Sequence, residues 1–316
     1  MKSTKAAHTY RIATLTVDAK EIMLQAKTGE ERTKFIFDLL QLAAASSPDV
    51  ILLPEDCWYY GLPQEQWPHE AERRDGPRVA AVAKFARAHS CYVAMPMLES
   101  RRNEIFNTLL LIDRRGRVVW HYDKVFLTEH ELKCGFSNGR QTKAYDADFG
   151  RLGGAICFDL NFLELAHAWE RQQVDLILFS SMYRGGPTVP MWSLITHAYV
   201  VSATSDEGSK VVDPLGRCLG RTSNYSPVLV RDLPRDFEVF HIDYNEQKWP
   251  LLRAAYGDQI DLEIESEVAQ FLLQSRMPRV SVSRIIDEYK LLPLRKALPL
   301  WRRSNSMCAA RLGGKV

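Results

Sequence analysis

Short apolar runs alternate with amphipathic segments over most of the chain. Residues 48–54 form an apolar run bounded by prolines, which is typical of a buried strand. Residues 30–45 place apolar side chains one helical turn apart among charged ones, which predicts a helix. Further strands are predicted at 11–17, 91–97, 106–112, 118–122, 151–157, 174–179, 209–213, 228–230 and 237–242. Further helices are predicted at 77–89 and 162–172. This alternation indicates an α/β protein with mixed sheets.

Two further segments are a turn signal and a stretch of ambiguous pattern. Residues 113–116, Asp-Arg-Arg-Gly, form a turn signal between two predicted strands and indicate a hairpin. Residues 194–201 fit a helix and a strand equally well, so both interpretations stay open.

The pattern changes after Tyr244. Residues 251–273 are acidic and rich in helix-forming residues, and residues 290–316 carry seven basic side chains and no acidic one. We therefore predict a main domain over 1–248 and a C-terminal extension over 249–316, helical and then basic. Such an appendage either contacts another subunit or is partly disordered.

Composition excludes several classes of protein. Of the 316 residues, 46% are hydrophobic and 25% are charged, which is the balance of a globular protein rather than a disordered one. The net charge is +2, so charge-driven nucleic-acid binding is not indicated. A membrane span needs about 18 consecutive apolar residues, which we do not find. The six cysteines form no C-x-x-C pair, so neither a zinc cluster nor a disulfide scaffold is expected. We expect a cytoplasmic protein that binds neither nucleic acid nor membrane.

Three polar residues stand at the ends of predicted strands, namely Glu55, Lys124 and Cys157. Ligand crevices form at the carboxyl ends of strands in α/β sheets. A carboxylate, an ammonium and a thiol meeting there would supply a base, an oxyanion partner and a nucleophile. Each residue alone also fits a simpler interpretation, because strand-end thiols are mostly buried structural groups and strand-end charges are mostly solvated.

The sequences around these residues resemble the nitrilase, or carbon–nitrogen hydrolase, superfamily. The three motifs are Leu-Pro-Glu at 53–55, Tyr-Asp-Lys-Val-Phe-Leu-Thr-Glu-His-Glu at 122–131, and Gly-Ala-Ile-Cys-Phe-Asp-Leu-Asn-Phe-Leu-Glu at 154–164. A softer match is Phe-Asn-Thr at 106–108. The resemblance covers roughly residues 10–245. It implies a four-layer α-β-β-α sandwich with mixed β-sheets, assembly into homodimers or larger homo-oligomers, and neither a metal nor an organic cofactor.

The resemblance also implies roles for individual residues. Glu55 would be the general base, Lys124 the oxyanion stabiliser and Cys157 the nucleophile. The backbone N–H of Phe158 would be a second oxyanion donor. A glutamate after the lysine helps to orient the substrate in many members; Glu131 matches that place, with Glu129 as its competitor.

The residues after Cys157 are Phe-Asp, as in the amidase and carbamoylase branches, whereas the nitrile-cleaving branch typically has Trp-Glu there. The leading hypothesis is therefore an amidase that hydrolyses a small linear amide or carbamoyl compound through a thioester and releases ammonia. The alternatives are a nitrilase, or a non-catalytic binding or scaffold protein of the same fold. A separate role for the basic tail in binding an anionic surface or nucleic acid also stays open.

Substrate-binding candidates lie in the loops after the predicted strands. They are Trp58, Tyr59, Tyr60, Asn161, Tyr183 and Arg184. The three aromatic residues fit a packed loop equally well, and Arg184 also fits an ordinary surface charge. We interpret His130, His197, Cys57 and Cys134 as structural.

Overall fold

The computed structural model has two compact units. One comprises Tyr10–Leu233, and the other comprises Met1–Thr9 with Pro234–Val316. The residues that the structure describes are 8–18, 20, 22, 26, 28–140 and 143–311, with side chains to 308. Within this described part, no helix combines the length and the apolar character that crossing a membrane requires.

The larger unit contains two sheets of six strands each. Both sheets are mixed, as the sequence predicts. The strand order in the first sheet is β12-β1-β2-β3-β4-β5, with β1, β2 and β3 parallel and β4 and β5 joined in antiparallel fashion. These strands are β1 (Thr9–Leu15), β2 (Val50–Leu52), β3 (Tyr92–Arg101), β4 (Glu104–Ile112), β5 (Val118–Asp123) and β12 (Val228–Pro234). The predicted hairpin turn joins β4 to β5, and its Gly116 has a φ of +74° that favours glycine.

The second sheet has the order β11-β10-β9-β8-β7-β6, with β7, β8 and β9 parallel. Its strands are β6 (Tyr145–Ala147), β7 (Gly150–Ile156), β8 (Leu176–Ser181), β9 (Tyr199–Thr204), β10 (Lys210–Val212) and β11 (Cys218–Arg221). Among the described residues, the α-helices with given bounds in this unit are α1 (Gly29–Ala44), α2 (Pro77–His89), α3 (Glu129–Lys133), α4 (Leu163–Arg171) and α5 (Thr188–Thr196). The ambiguous segment 194–201 is therefore the end of α5 followed by the start of β9.

Two neighbouring glycines on β7 show how the layers stack. A Cβ atom on Gly154 would lie 2.9 Å from Trp120 on β5 of the first sheet, so the two sheets face each other closely there. A Cβ atom on Gly153 would lie 2.8 Å from Trp169 of α4, on the opposite face. Successive side chains on a strand point to opposite faces, so β7 lies between the other sheet and a helix.

Helices α1 and α2 cover the outer face of the first sheet. Thr28 caps α1 in a capping box with Glu31, and α2 begins with a proline, which suits a first helical turn. Their apolar faces join one core cluster with strands β2 and β3. Helix α4 lies on the second sheet. The layers of this unit therefore follow the expected order of helix, sheet, sheet and helix.

The smaller unit has a three-stranded antiparallel sheet with the order β13-β15-β14. Its elements are β13 (Phe237–His241), α6 (Trp249–Tyr256), β14 (Ile260–Glu265), β15 (Gln270–Ser275), α7 (Val282–Tyr289) and α8 (Leu294–Arg311). Phe240 stacks on Phe271 at a centroid distance of 4.8 Å, and both are fully buried with Leu252 and Ile285.

The helical prediction for 251–273 is wrong beyond Tyr256. Ile260, Leu262 and Ile264 alternate with acidic residues, which is the period of a strand, and this alternation outweighs the helix propensity of Leu and Glu. The smaller unit also begins at Pro234 rather than after residue 248, because β13 pairs with β15. Residues 312–316 at the end of the basic segment lie outside the described residues.

Candidate active site

Three loops of the larger unit bring Glu55, Lys124 and Cys157 together. Glu55 follows β2, Lys124 follows β5, and Cys157 follows β7 directly. Glu55 and Lys124 are only 1% and 2% exposed. The Lys124 Nζ donates to Glu55 Oε1 at 2.9 Å, and the Cys157 thiol lies close enough to Glu55 for this carboxylate to raise the pKa of the thiol. The carboxylate therefore lies beside both the ammonium and the thiol.

Cys157 has a strained backbone at the start of a tight turn. Its φ is +44°, in the left-handed region that costs an ordinary residue of order 1 kcal/mol. The chain turns there from the end of β7 into a short 3₁₀ helix over Cys157–Asn161. This turn places half-buried Cys157 at the end of the sheet, where it lines the cavity, while the strand before it stays buried.

A second glutamate shares the lysine. Lys124 Nζ donates to Glu131 Oε1 at 2.8 Å, and the Asn107 side-chain amide donates to Glu55 Oε1 and to Glu131 Oε1 at 2.9 and 3.0 Å. The other oxygen of Glu131 accepts hydrogen bonds from the N–H and hydroxyl of Thr128, which caps α3. One amide and one ammonium thus hold both carboxylates in place.

The competitor Glu129 points away from this cluster. Its side chain is 82% exposed and pairs with Lys133. Of the two candidates, Glu131 is the one that reaches Lys124.

Burial and charge act against each other at these groups. Burial alone would lower the pKa of Lys124, but the nearby charges of Glu55 and Glu131 outweigh it and raise that pKa. Burial would raise the pKa of Glu131, but the Lys124 ammonium lowers it overall. Burial and the Glu55 charge raise the pKa of Cys157, with Lys124 opposing them. The resting site therefore holds an ammonium and a protonated thiol.

A cavity of about 100 Å³ opens onto these groups. Its lining combines the polar cluster with apolar and aromatic side chains. The lining residues are Glu55, Asp56, Gln64, Trp67, Lys124, Thr128, His130, Glu131, Cys134, Phe136, Cys157 and Met182. A polar end beside an apolar wall suits a small ligand with one reactive group.

Comparison with known proteins decides the family. The family model described as carbon–nitrogen hydrolase matches residues 23–237, which is more than half of the chain. The chain belongs to the carbon–nitrogen hydrolase family. An omega-amidase from Mus musculus is 22% identical over 251 residues, covering 71% of this chain and 89% of that protein. A deaminated glutathione amidase from Yersinia enterocolitica is 23% identical over 199 residues, covering 58% and 70%.

A solved structure shares the fold of this hydrolase. A mutant of an amidase from Nesterenkonia sp. AN1 is similar with a TM-score of 0.62 and 21% identity, covering 80% of this chain and 98% of that one. In that structure the acetamide moiety of fluoroacetamide is covalently added at the active site cysteine.

The aromatic triplet lies in the core of the hydrolase rather than on the cavity wall. Trp58, Tyr59 and Tyr60 are almost fully buried. Trp58 donates to the carbonyl of Pro96, Tyr59 accepts from the N–H of Leu98, and Tyr60 donates to the Glu55 carbonyl. The packed-loop alternative therefore holds, because their polar atoms are satisfied inside the fold. Trp67, which sequence reasoning did not single out, lines the cavity instead.

The remaining substrate-binding candidates also stand outside the cavity lining. Arg184 pairs with Asp206 at 2.8 Å and its side chain is 52% exposed, so it is a surface ion pair. The Asn161 side chain donates to the Phe158 carbonyl at 3.0 Å. Tyr183 stands near the thiol: burial, and then the charges of Cys157 and Glu55, raise its pKa to about 12.

The residues interpreted as structural divide into two groups. His130 and Cys134 line the cavity and contact each other at 3.5 Å, so they border the site. His197 and Cys57 are buried, and His197 ends α5 with a left-handed backbone.

Asp159 ties the lysine loop to the cysteine turn. Its carboxyl accepts hydrogen bonds from the N–H groups of Val125 and Phe126 at 3.1 and 2.8 Å. It also accepts from the Tyr122 hydroxyl at 2.9 Å and from the Ile156 N–H at 3.1 Å. Sequence reasoning used this residue only to separate family branches. A carboxylate two residues after a strand-end cysteine was the available signal.

Proposed function

We propose that this chain is a thiol-dependent amidase that acts on a small linear amide or carbamoyl compound and releases ammonia. The observation that carries the proposal is that Glu55, Lys124 and Cys157 line one cavity of about 100 Å³, with Lys124 donating a hydrogen bond to Glu55. Amidases among the relatives support it, as does the covalent acetamide adduct on the cysteine of a structurally similar amidase.

The first chemical step forms a thioester. Glu55 accepts the thiol proton while the Cys157 sulfur attacks the carbonyl carbon of the amide, so no free thiolate has to persist beforehand. Negative charge develops on the carbonyl oxygen in the transition state. The Lys124 ammonium stabilises it, with the Phe158 N–H as the expected second donor; one such donor is worth about 3 kcal/mol. Glu55 then passes the proton to the departing nitrogen, and ammonia leaves.

The second step hydrolyses that thioester. Glu55 takes a proton from an incoming water, whose oxygen attacks the acyl carbon. The tetrahedral intermediate collapses, the carbon–sulfur bond breaks, and the proton returns to the sulfur of Cys157. The acid leaves and the resting thiol is restored. The Lys124 ammonium serves both steps, because the carboxylates beside it keep it charged.

Cavity size limits the acyl group. A cavity of roughly 150 Å³ accommodates benzene. The space beside Cys157 is about 100 Å³, so it takes a shorter acyl chain. This favours amides with few carbon atoms over the bulky substrates that a larger crevice would admit.

Ammonia release from short amides, carbamoyl compounds and nitriles tests the proposal. We expect turnover of amides, no acid from nitriles, and complete loss of activity in Cys157→Ala. Cys218→Ala is the matched control: Cys218 is an exposed free cysteine, so we expect its loss to leave activity intact. Full activity in Cys157→Ala contradicts the proposal. Acid from nitriles without amide turnover assigns a nitrilase, and no turnover of any compound favours the scaffold alternative.

A further inference from the structure

Asp56 places a second carboxyl group in the cavity directly beside Glu55. It is 4% exposed and lines the same cavity as Cys157 and Lys124. Among the described residues, the structure gives its side chain no hydrogen-bond donor. Glu55 and Glu131, by contrast, both accept from Lys124 and Asn107.

The backbone does not explain why the residue is an aspartate. Asp56 has a φ of +54°, a left-handed conformation that Asn adopts as readily as Asp and that Gly adopts without strain. A buried carboxyl without a partner costs free energy, whereas the amide of Asn or no side chain at all would satisfy the turn equally well. The carboxyl group itself therefore needs a reason.

The cavity has more acidic than basic groups. Three carboxyl side chains, those of Glu55, Asp56 and Glu131, face the single ammonium of Lys124, and the lining residues include no arginine. Burial, and then the charge of Glu55, raise the pKa of Asp56 well above its usual range. A positive group entering beside Asp56 would satisfy its unpartnered carboxyl group. A carboxylate entering there would instead meet the negative charges of Glu55 and Glu131.

We propose that Asp56 determines specificity by binding an ammonium group on the acyl part of the substrate. The inference rests on the proposed amidase function and narrows its substrate class. Amides that carry an amino group a few atoms from the carbonyl are preferred over neutral ones, and amides that carry a carboxylate are rejected. Because the cavity is small, the amino group and the reacting carbonyl are separated by a short chain.

A matched set of short amides tests the preference. β-Alaninamide and butyramide differ by an ammonium in place of a methyl group, and succinamate carries a carboxylate on the same chain. We expect kcat/KM for β-alaninamide to exceed that for butyramide by at least tenfold, which corresponds to about 1.4 kcal/mol. Succinamate should fall at least tenfold below butyramide. Equal values for all three amides overturn the proposal.

Substituting Asp56 tests whether the preference for a cationic amide depends on this residue. Asp56→Asn keeps the shape and the left-handed turn, and we expect the ratio of β-alaninamide to butyramide to fall to about one. Asp56→Gly serves as the second variant, and melting curves establish that each protein folds. Asp38→Asn is the matched control, because it removes an exposed carboxylate of α1. An unchanged ratio in folded Asp56→Asn overturns the assignment.

Alkylation of Cys157 tests the same selection without turnover. Bromoethylamine, iodoacetamide and iodoacetate are cationic, neutral and anionic, and peptide mass spectrometry measures each rate relative to exposed Cys218 of the same chain. We expect the cationic reagent to be favoured and the anionic one disfavoured, and Asp56→Asn to remove both effects.

The two proposals can fail independently. If this charge selection holds but no amide is hydrolysed, the proposed function fails and the charge selection stands. If amides are hydrolysed without charge preference, only the role of Asp56 fails.

Discussion

Two glutamates on α3, two positions apart, illustrate how single residues acquire different roles. Glu131 completes the capping box with Thr128 and also contacts Lys124, whereas Glu129, two positions earlier, pairs with Lys133 on the helix surface. Both belong to the same motif, so the motif alone does not separate them. The separation comes from the capping geometry, which turns Glu131 toward the site.

These glutamates provide a matched pair of substitutions. Glu131→Gln removes one of the two negative charges beside Lys124, so the oxyanion partner is positioned and polarised less well. We expect kcat/KM to fall roughly a hundredfold, by analogy with the loss of a single oxyanion donor. Glu129→Gln should leave steady-state kinetics unchanged. Equal losses in both variants would show that Glu131 has no special role.

Asp159 predicts a pH dependence of stability. Burial disfavours its charged form more than its hydrogen-bond donors favour it, and the pKa of Asp159 is raised to about 7. Between about pH 4 and 7 the folded protein therefore holds this proton more tightly than the unfolded chain. The stabilisation that this bound proton provides is complete below about pH 4 and is lost as the pH rises through 7.

We expect the melting temperature of the wild type to exceed that of Asp159→Asn, because the amide cannot accept from all the donors. This difference should shrink as the pH rises from 4 to 7. Melting curves of both proteins across this range measure it, and a difference that widens with pH contradicts the assignment.

At the scale of elements, strands were predictable where apolar and β-branched residues cluster. The core strands β2, β3 and β8 follow this pattern. Strand β14 was missed because its alternating acidic residues were interpreted as helix formers. The positions of Glu55, Lys124 and Cys157 were predictable because each ends a predicted strand within a recognisable motif. The contacts of Asn107 and Asp159 were not, since they join loops that are distant in sequence.

The close approach of the two sheets at Gly154 gives an element-scale prediction. In Gly154→Ala the new Cβ atom would lie 2.9 Å from Trp120 and 3.3 Å from Tyr122, so strands β5 and β7 would have to separate. We expect a loss of about 1–3 kcal/mol in the free energy of unfolding, the usual range for overpacking. Gly29→Ala is the control, because its Cβ atom would make only ordinary contact, at 3.6 Å. Denaturant unfolding of both variants checks this.

At the scale of the whole molecule, charge is unevenly distributed. Residues 1–289 carry 34 basic and 39 acidic side chains, and all the excess positive charge lies in the last segment. Helix α8 covers most of this segment and leaves Leu300 and Met307 more than half exposed. Assembly into a homodimer or larger oligomer stays a prediction, as does a cytoplasmic location.

Light scattering on a sizing column tests the assembly. We expect a mass of at least two chains, and we expect Leu300→Glu combined with Met307→Glu to lower it if α8 contributes to the contact. A wild-type protein that elutes as a monomer at micromolar concentration contradicts the prediction of an oligomer.

Covalent catalysis requires that Cys157 forms the acyl-enzyme. Mass spectrometry of enzyme quenched during turnover of a short amide measures this directly. We expect a mass increase of one acyl group that is located on the peptide containing Cys157 and is absent from Cys157→Ala. Acid production without any adduct on Cys157, or at an undiminished rate in Cys157→Ala, would contradict it.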